Sequence, residues 1–501
     1  MTWWRDAVVY QIYPRSFCDS NADGVGDLNG VRRRLRYLEW LGIDAIWLSP
    51  IYPSPMRDFG YDVSNFIDVD PTFGSLADFD QLVREAHELG IRVLLDWVPN
   101  HTSSEHPWFL DARSSRTSAH RDWYIWRDAK ADGSLPNNWI RAWSEESVWT
   151  WDELTGQYYL HLFLADQPDL NWSNPQVREA MAATLRFWLD RGVDGFRMDV
   201  VHALGKDLEQ DDPEGLRMMS HTPLNDVEVT HEYLREIRRV LDEYGGERVS
   251  IGEVFLLDPA RVATYYGDGD ELHLSFNFKS LFTPWRANAW LDTVGATEVA
   301  LTPVRAWPTW VLSNHDNARV ATRLGGQERV RAAMTLLLTL RGTAFLYAGE
   351  ELGLEDAVVA PEQVVDPGGR DGCRAPIPWN AEQDHGWPAG AWLPFVSEPS
   401  KFSVQFQEEA SDSTLQFTRR LLALRRASRA LRRGETRNLR ADGDVLVFER
   451  VADDEVVRIV VNFAAARAPL DVRGTTLLFS SHDQPTPGEL AANEAAIFKV
   501  G

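Results

Sequence analysis

Hydrophobic residues along this chain follow two alternating patterns. Short apolar runs, typical of parallel strands that are buried on both faces, alternate with segments in which apolar residues recur at helical spacing. The eight strand-like runs are residues 8–13, 43–48, 91–98, 193–198, 249–252, 272–278, 310–313 and 343–347. The clearest helical segments are residues 28–40, 76–89, 176–191, 229–244 and 327–340. Eight parallel strands with helices between them predict an α/β fold, the (β/α)8 TIM barrel.

Two regions depart from this alternation. Residues 101–172 contain eight tryptophans among irregularly spaced Gly, Pro and Asn, and we interpret them as a domain inserted after the third strand. From residue 431 onward, apolar runs at 445–448 and 457–461 flank a polar turn, as in an antiparallel hairpin. We therefore predict a barrel in two parts (1–100 and 173–430), the inserted domain, and a C-terminal antiparallel β-sandwich domain (431–501).

Composition narrows the range of functions. The 501 residues are 44% hydrophobic and carry a formal net charge of −24, which disfavours binding to the phosphates of nucleic acid. No apolar run is long enough for a membrane span, and the N-terminus lacks the features of a signal peptide. Cys18 and Cys373 are the two cysteines, too few for a disulfide framework. We expect a cytoplasmic enzyme or binding protein with no nucleic-acid or membrane partner.

Polar residues follow several of the predicted strands directly. In a (β/α)8 barrel the C-terminal ends of the strands meet at one mouth, where active sites form. The residues concerned are Tyr61 and Asp62 in the loop after the second strand, Asp96 and His101 at the third, Arg197 and Asp199 at the fourth, Glu253 at the fifth, and His315 and Asp316 at the seventh. Carboxylates clustered with histidines indicate either a metal site or a glycosidase that uses a carboxylate pair.

Other features of the sequence favour the glycosidase. No HExxH or similarly spaced metal-ligand motif occurs. Arg197 precedes Asp199 by two positions on one strand, so both side chains point to the same side, and the cation favours an ionised carboxylate. A retaining glycosidase uses one ionised carboxylate and one protonated carboxyl about 5 Å apart. The 21 tryptophans offer aromatic faces that suit a sugar site.

Several strings along the chain carry a family resemblance. They are DWVPNH (96–101), GFRMD (195–199), GEVF (252–255) and SNHDNAR (313–319), with VVYQIYPRSFCDSNADGVGDLNG (8–30) and GRDGCRAPIPW (369–379) at either end. In this order and spacing they resemble the signature regions of the α-amylase superfamily, glycoside hydrolase family 13. The first and last strings are similar to its α-glucosidase and oligo-1,6-glucosidase branch, and the resemblance spans nearly the whole chain.

The resemblance implies a role for each candidate residue. Asp199 would be the nucleophile, Glu253 the general acid/base and Asp316 the stabiliser of the transition state. The implied glucose-binding residues are Asp62, His101, Arg197 and His315, with Tyr61 stacking beneath the sugar, Phe163 near the rim of the pocket, and Arg370 pairing with Asp62 to close the pocket.

A second motif predicts a structural metal site. In residues 19–27, DSNADGVGD, oxygen-bearing side chains alternate and Gly24 is sixth, as at the start of an EF-hand loop, although the Glu of the twelfth position is absent. The alternative is an Asx-rich turn. The resemblance favours a bound divalent ion, calcium or magnesium, and no organic cofactor. Its ligands would be Asp19, Asn21, Asp23, Asp27 and the carbonyl of Val25.

The activity implied by the resemblance is that of an exo-acting, retaining α-glucosidase that takes small α-glucosides, as a monomer or homodimer. A transglucosylase or a sucrose- or maltose-converting isomerase with the same triad is the alternative within the enzyme class. A non-catalytic transporter subunit is disfavoured because all three carboxylates are present. Ala375 in RAPIP and Ala348 in YAGEE depart from the usual family strings, and Val200 after the nucleophile accompanies α-1,6 preference in some relatives.

Overall fold

The computed structural model describes residues 2–142, 144–212, 222–482 and 485–501. Eight parallel strands form a nearly closed barrel in which neighbours in the chain are also neighbours in the sheet, and the eighth strand pairs with the first. In chain order the barrel strands are Val8–Ile12, Ala45–Leu48, Arg92–Trp97, Gly195–Met198, Val249–Gly252, Leu274–Ser275, Thr309–Val311 and Thr343–Tyr347. The predicted (β/α)8 barrel is confirmed.

The barrel is weakest between its sixth and seventh strands. The sixth strand covers Leu274–Ser275, shorter than the predicted 272–278, and it forms no ladder with the seventh strand in the described sheet. The hydroxyl of Thr309 bridges this gap, because it donates to the carbonyl of Ser275 at 2.7 Å and accepts from the backbone N–H of Asn277 at 3.1 Å. One side chain thus replaces part of the missing ladder.

Alternate residues of the barrel strands enter two separate clusters. Val9, Trp47 and Phe345 belong to a small cluster inside the barrel. Their neighbours Tyr10 and Ile46 belong to the large cluster formed with the surrounding helices. Because successive strand residues point to opposite faces and both faces are buried, these strands are apolar throughout, which explains the continuous runs in the sequence.

The helices begin where capping residues stop the extended chain. Ser75 and Asp78 form a reciprocal capping box at the start of Leu76–Glu88. Asn174 caps Pro175–Asp190, whose proline stands at its first position. The α-helices are Trp3–Asp6, Leu28–Arg33, Leu35–Leu41, Leu76–Glu88, Pro107–Ala112, Pro175–Asp190, Val229–Asp242, Pro259–Thr264, Lys279–Phe282, Ala287–Leu301, Val320–Leu324, Gln327–Thr339, Val404–Glu409, Thr414–Ala427 and Arg429–Arg433. None of these helices is both long and apolar enough to cross a membrane.

Aromatic packing holds the segment between the third and fourth barrel strands. Its three-stranded antiparallel sheet comprises Trp126–Arg127, Gln157–Leu160 and Trp149–Asp152 in that order. The ring of Phe109 stacks on Trp126 at 5.7 Å and contacts Tyr159 edge-on at 5.1 Å. Trp143 lies outside the described residues. Most of the described tryptophans here pack within the protein, although Trp151 is 41% exposed.

The C-terminal region is an antiparallel sheet with a small partner. Its five strands, in sheet order, are Glu435–Asp442, Val445–Ala452, Glu455–Asn462, Ala495–Val500 and Thr475–Ser480, and Ala468–Pro469 pairs with Glu489–Leu490. Phe448 and Ile497 lie on the face that joins the main core of the protein. Val460 and Phe498 lie on the other face, in a separate cluster with Leu490 of the two-stranded sheet.

Candidate active site

The C-terminal ends of the barrel strands surround a cavity. Parallel pairing brings these ends to one mouth, so residues distant in sequence become neighbours there. The lining residues are Asp58, Tyr61, His101, Phe163, Asp199, Val200, Glu253, Asp316 and Arg370. The structure thus brings all three predicted carboxylates into one cavity.

Arg197 connects the acidic side chains at the base of this cavity. Its Nη1 donates to Asp199 at 2.7 Å and to Asp96 at 2.8 Å, and its Nη2 forms an ion pair with Glu253. The guanidinium is 97% buried, beneath the residues that line the cavity. Because one guanidinium contacts both Asp199 and Glu253, it sets the position of one carboxylate relative to the other. Arg197 is therefore placed below the cavity rather than in its wall.

Three carboxylates around one cation carry excess negative charge. Burial raises the pKa of the Asp199 carboxyl above its ordinary value; Arg197 opposes this shift, and the nearby carboxylate of Glu253 adds to it. Burial likewise raises the pKa of Asp96 to about 6, again opposed by Arg197. Asp199 therefore retains its proton to higher pH than an isolated aspartic acid would. One proton on a carboxyl pair is the state in which a retaining glycosidase begins its reaction.

Asp316 has the opposite electrostatic environment. Burial alone would raise the pKa of its carboxyl, but His315, Arg370 and Arg374 outweigh burial and lower the pKa below the ordinary range. Its Oδ1 accepts hydrogen bonds from Arg370 at 3.0 Å and from Arg374 at 3.1 Å. Asp316 therefore stays negatively charged in the cavity, whereas the pKa of Asp199 is raised.

Tyr61 is supported from behind by His315. The two rings stack at 5.4 Å with an angle of 8° between them, and the Tyr61 hydroxyl lies 2.6 Å from Nε2 of His315 and 2.9 Å from Asp96. Nδ1 of His315 meets the amide of Gln11 at 2.7 Å. Burial lowers the pKa of His315 to about 3, so the ring is neutral near pH 7. His315 is fully buried, and its closest contact with the cavity wall is through Tyr61.

The prediction that Arg370 pairs with Asp62 is wrong. Arg370 forms an ion pair with Asp58 at 2.5 Å, and it also bonds Asp316 and Asp366. Asp62 is fully buried outside the cavity lining, where it accepts hydrogen bonds from the Ser54 hydroxyl at 2.8 Å and from the backbone N–H groups of residues 57 and 58. Asp62 therefore stabilises the conformation of the loop, whereas the carboxylate of Asp58 faces the cavity.

The wall next to Asp58 contains His101 and Phe163, whose ring centroids are 5.2 Å apart. The amide of Gln167 lies 3.1 Å from Nε2 of His101 and donates to Asp58 at 3.0 Å, joining the two side chains. Burial lowers the pKa of His101 to about 4, so this ring is also neutral near pH 7. Phe163 and His101 are the contributions of the inserted segment to the described cavity lining.

Val200, directly after Asp199, has a strained backbone. Its φ of +36° lies in the left-handed region, which is costly for a β-branched residue. This conformation turns the chain sharply from the fourth barrel strand into the short 3-10 helix Val201–Ala203 and exposes Val200 to the cavity. The backbone N–H of Val200 donates to Glu253 at 3.3 Å. The strained turn thus positions Asp199 and Val200 in the cavity wall, and its backbone contacts the carboxyl group of Glu253.

Comparison with known proteins agrees with this geometry. The family model described as alpha amylase, catalytic domain, matches residues 11–434, and a domain of unknown function, DUF3459, matches residues 432–497. The chain belongs to the α-amylase family of glycoside hydrolases. It is therefore an enzyme whose family cleaves glycosidic bonds, and the match covers the barrel, the inserted segment and the residues of the cavity.

Relatives of this glycoside hydrolase are similar over nearly its whole length. A probable alpha-glucosidase of Rhizobium meliloti is 42% identical, over 92% of this chain and 89% of its own. An oligo-1,6-glucosidase of Parageobacillus thermoglucosidasius is 35% identical over 99% of both chains. The crystal structure of the alpha-glucosyl transfer enzyme XgtA is 39% identical, covers 100% of both chains and superposes with a TM-score of 0.94.

The loop predicted to bind a metal in this glycoside hydrolase is held by its own hydrogen bonds. Asp19 accepts from the backbone N–H groups of residues 21, 22 and 24, and Asp27 caps the helix Leu28–Arg33 by accepting from Gly30 at 2.7 Å. Carboxylate and amide oxygens are the donors that Ca²⁺ prefers. However, no group of three or more His, Cys, Asp or Glu side chains in the described chain is arranged to hold a metal. The Asx-rich turn accounts for the geometry, and the metal stays a prediction.

Two acidic residues of the site, Asp58 and Asp366, were missed by sequence reasoning. Asp58 lies four positions before Asp62, on the other side of a turn in which Phe59 and Gly60 have positive φ values of 46° and 111°. Asp366 is buried and accepts from Arg370 and from Arg374 at 3.0 Å. The DFGYD and VDPGGRDGCR strings contain these acids, but spacing alone does not say which of them faces the cavity.

Proposed function

We propose that this glycoside hydrolase is an exo-acting, retaining α-glucosidase that releases terminal α-linked glucose from short oligosaccharides or α-glucosides. The reaction would pass through a covalent glucosyl-enzyme on Asp199. The observation that supports this most strongly is the contact of one guanidinium, Arg197, with both Asp199 and Glu253 at the base of the cavity. One ionised carboxylate and one protonated carboxyl beside the same substrate cavity are the chemical requirement of double displacement.

In the first step, the Asp199 carboxylate attacks the anomeric carbon while Glu253 gives its proton to the departing oxygen. In the second step, Glu253 takes a proton from water, and the water oxygen displaces Asp199 from the anomeric carbon. Positive charge develops on the sugar ring in both transition states. The negative charge of Asp316, maintained by Arg370 and Arg374, would stabilise it.

The proposal of exo action rests on the ion pairs at the end of the cavity. Arg370 joins Asp58, Asp316 and Asp366 through ion pairs, and these side chains would close the cavity beyond the position of one sugar. A substrate would then enter with its non-reducing end first. Tyr61 would lie beneath the glucose, and Asp58, His101 and Arg370 would bind its hydroxyl groups. His315 and Arg197 would act from below by positioning Tyr61 and the carboxylates.

Transfer of glucose to another sugar is the second candidate. The observation that favours it is the full-length similarity to the alpha-glucosyl transfer enzyme XgtA. Hydrolysis and transfer share the glucosyl-enzyme and differ in whether water or a sugar hydroxyl attacks it. The residues described here act before that choice.

A substrate panel with resolved products tests the proposal. Maltose, isomaltose, sucrose, trehalose and p-nitrophenyl α-glucoside would be incubated with the enzyme, and the anomer released first would be identified by NMR. We expect glucose, first as the α-anomer, from at least one substrate. Longer oligosaccharides or sucrose isomers as main products at high substrate concentration would favour transfer. Release of β-glucose, or no reaction on any substrate, would contradict the proposal. The Asp199→Asn variant is the control for contaminating activity.

A further inference from the structure

A cleft lined by several arginines lies at the opposite end of the barrel from the active site. Trp4 and Arg248 precede the first and fifth barrel strands, and Trp307 precedes the seventh, so the cleft lies at the N-terminal ends of the strands. Four arginines and two carboxylates line it, whereas the whole chain has a net charge of −24. This local reversal of charge is unexpected on a surface that otherwise repels anions.

Two of the four arginines have structural roles. Arg238 pairs with Asp242 at 2.9 Å, and Arg248 pairs with Asp194 at 3.2 Å. The other two, Arg5 and Arg305, form no ion pair in the described chain. Arg5 instead lies over the rings of its neighbours, 5.3 Å from the centre of Trp4 and 5.7 Å from that of Trp307. These cation–π contacts hold its guanidinium beside the cleft, and no carboxylate of the described chain pairs with it.

Neutral donors complete the lining of the cleft. The indole nitrogen of Trp307 is buried and has no hydrogen-bond partner among the described residues, and the residue is 8% exposed. Nδ1 of His273 accepts the backbone N–H of Ser250 at 3.1 Å, so the ring proton is on Nε2. The indole nitrogen lies beneath the surface of the cleft, where a ligand does not reach it, whereas His273 lines the cleft.

We propose that this cleft, formed by Arg5, Arg305, Trp307 and His273, is a binding site for a phosphate group. Guanidinium groups match the geometry and charge of phosphate, and the imidazole N–H of His273 supplies a further donor, while the ring of Trp307 forms part of the wall. The group could come from free phosphate or from a sugar phosphomonoester, whose ring would contact the aromatic side chains. The site is separate from the catalytic cavity and does not depend on the proposed α-glucosidase activity.

Calorimetric titration of the full-length protein tests this site. Inorganic phosphate and glucose 6-phosphate would be titrated in the presence of excess glucose, which occupies the catalytic cavity. The test variant is Arg5→Gln with Arg305→Gln, and the control is Arg473→Gln, which removes a 91% exposed arginine from the C-terminal region. Unchanged kcat/KM and melting temperature would show that both variants fold normally.

We expect binding of phosphate to the wild-type protein and to the control, and a Kd at least about tenfold higher for the double variant, since charge-assisted hydrogen bonds are lost. Tighter binding of glucose 6-phosphate than of phosphate would identify a phosphomonoester as the ligand, and equal or weaker binding would identify free phosphate. The proposal is overturned if neither probe binds the wild-type protein. It is also overturned if the double variant binds as tightly as the control.

Discussion

Replacing Asp58 by Asn distinguishes the roles of the two acids that flank the turn after the second barrel strand. The structure places Asp58 against Arg370 and facing the cavity, and Asp62 against backbone N–H groups outside it. In Asp58→Asn the charge-assisted bond to Arg370 is lost, at a cost of about 2 kcal/mol. The hydrogen bond from residue 58 to a sugar hydroxyl would also be weaker, which adds about 1 kcal/mol to this loss. Together these losses correspond to a decrease in kcat/KM of about a hundredfold.

The matched variant is Asp62→Asn. The side-chain NH2 group of the new asparagine would lie opposite a backbone N–H, so two donors would meet without an acceptor. Leaving a buried donor unpaired costs about 1 to 3 kcal/mol of folding stability. We therefore expect a lower melting temperature with a smaller loss of kcat/KM than in Asp58→Asn. Kinetics on p-nitrophenyl α-glucoside and thermal denaturation of both variants measure the two effects. A kcat/KM for Asp58→Asn close to that of the wild type would refute the reasoning, as would a larger loss in Asp62→Asn.

Two further predictions concern pH and metal. Asp199 must be ionised to attack, and burial together with Glu253 raises its pKa, so kcat/KM should fall on the acid side with an apparent pKa above 3.8. The substrate α-glucosyl fluoride has a leaving group that needs no proton, and with it Glu253→Gln should shift this acid limb of the pH profile to lower pH. An acid limb that does not shift would disprove the coupling between Asp199 and Glu253. If the loop of residues 19–27 binds calcium, EDTA should lower the melting temperature of the wild type but not that of Asp23→Ala. If EDTA has no effect, or the same effect on both proteins, the Asx-rich turn without a metal explains the loop.

The fold could be predicted because its signals are local and repeated. Every barrel strand has both faces buried, so apolar runs mark the strands without knowledge of their partners. The sixth strand was predicted too long because Phe276 and Phe278 continue the apolar pattern, but they pack inside the barrel rather than extend its ladder. Phe276, for example, packs on Phe345 at 4.7 Å and on Trp47 at 5.5 Å.

The candidate site could be predicted wherever a side chain directly follows a strand. Asp199 and Glu253 each come one residue after a barrel strand, so their positions follow from the parallel sheet itself. Asp58 and Arg370 lie in long loops, where the direction of a side chain depends on turn geometry. The positive φ of Phe59 and Gly60 decides which acid faces the cavity, and residue types at these positions do not reveal that turn.

The raised pKa of Asp199 was also beyond the reach of the sequence. The motif places Arg197 beside Asp199, which predicts an ionised carboxylate. The structure adds Asp96 and Glu253 around the same guanidinium, so that one cation serves three acids and the pKa of Asp199 rises instead. This balance depends on three strands that meet only in the folded barrel.

The central claim is that Asp199 forms the covalent glucosyl-enzyme. A 5-fluoro-α-glucosyl fluoride, which slows the second step more than the first, should accumulate this intermediate, and mass spectrometry of the digested protein would locate the label. We predict one label, on Asp199, that is absent in Asp199→Asn and lost when a sugar acceptor is added. A label on Asp316 or Glu253, or turnover with no covalent species, would contradict the account.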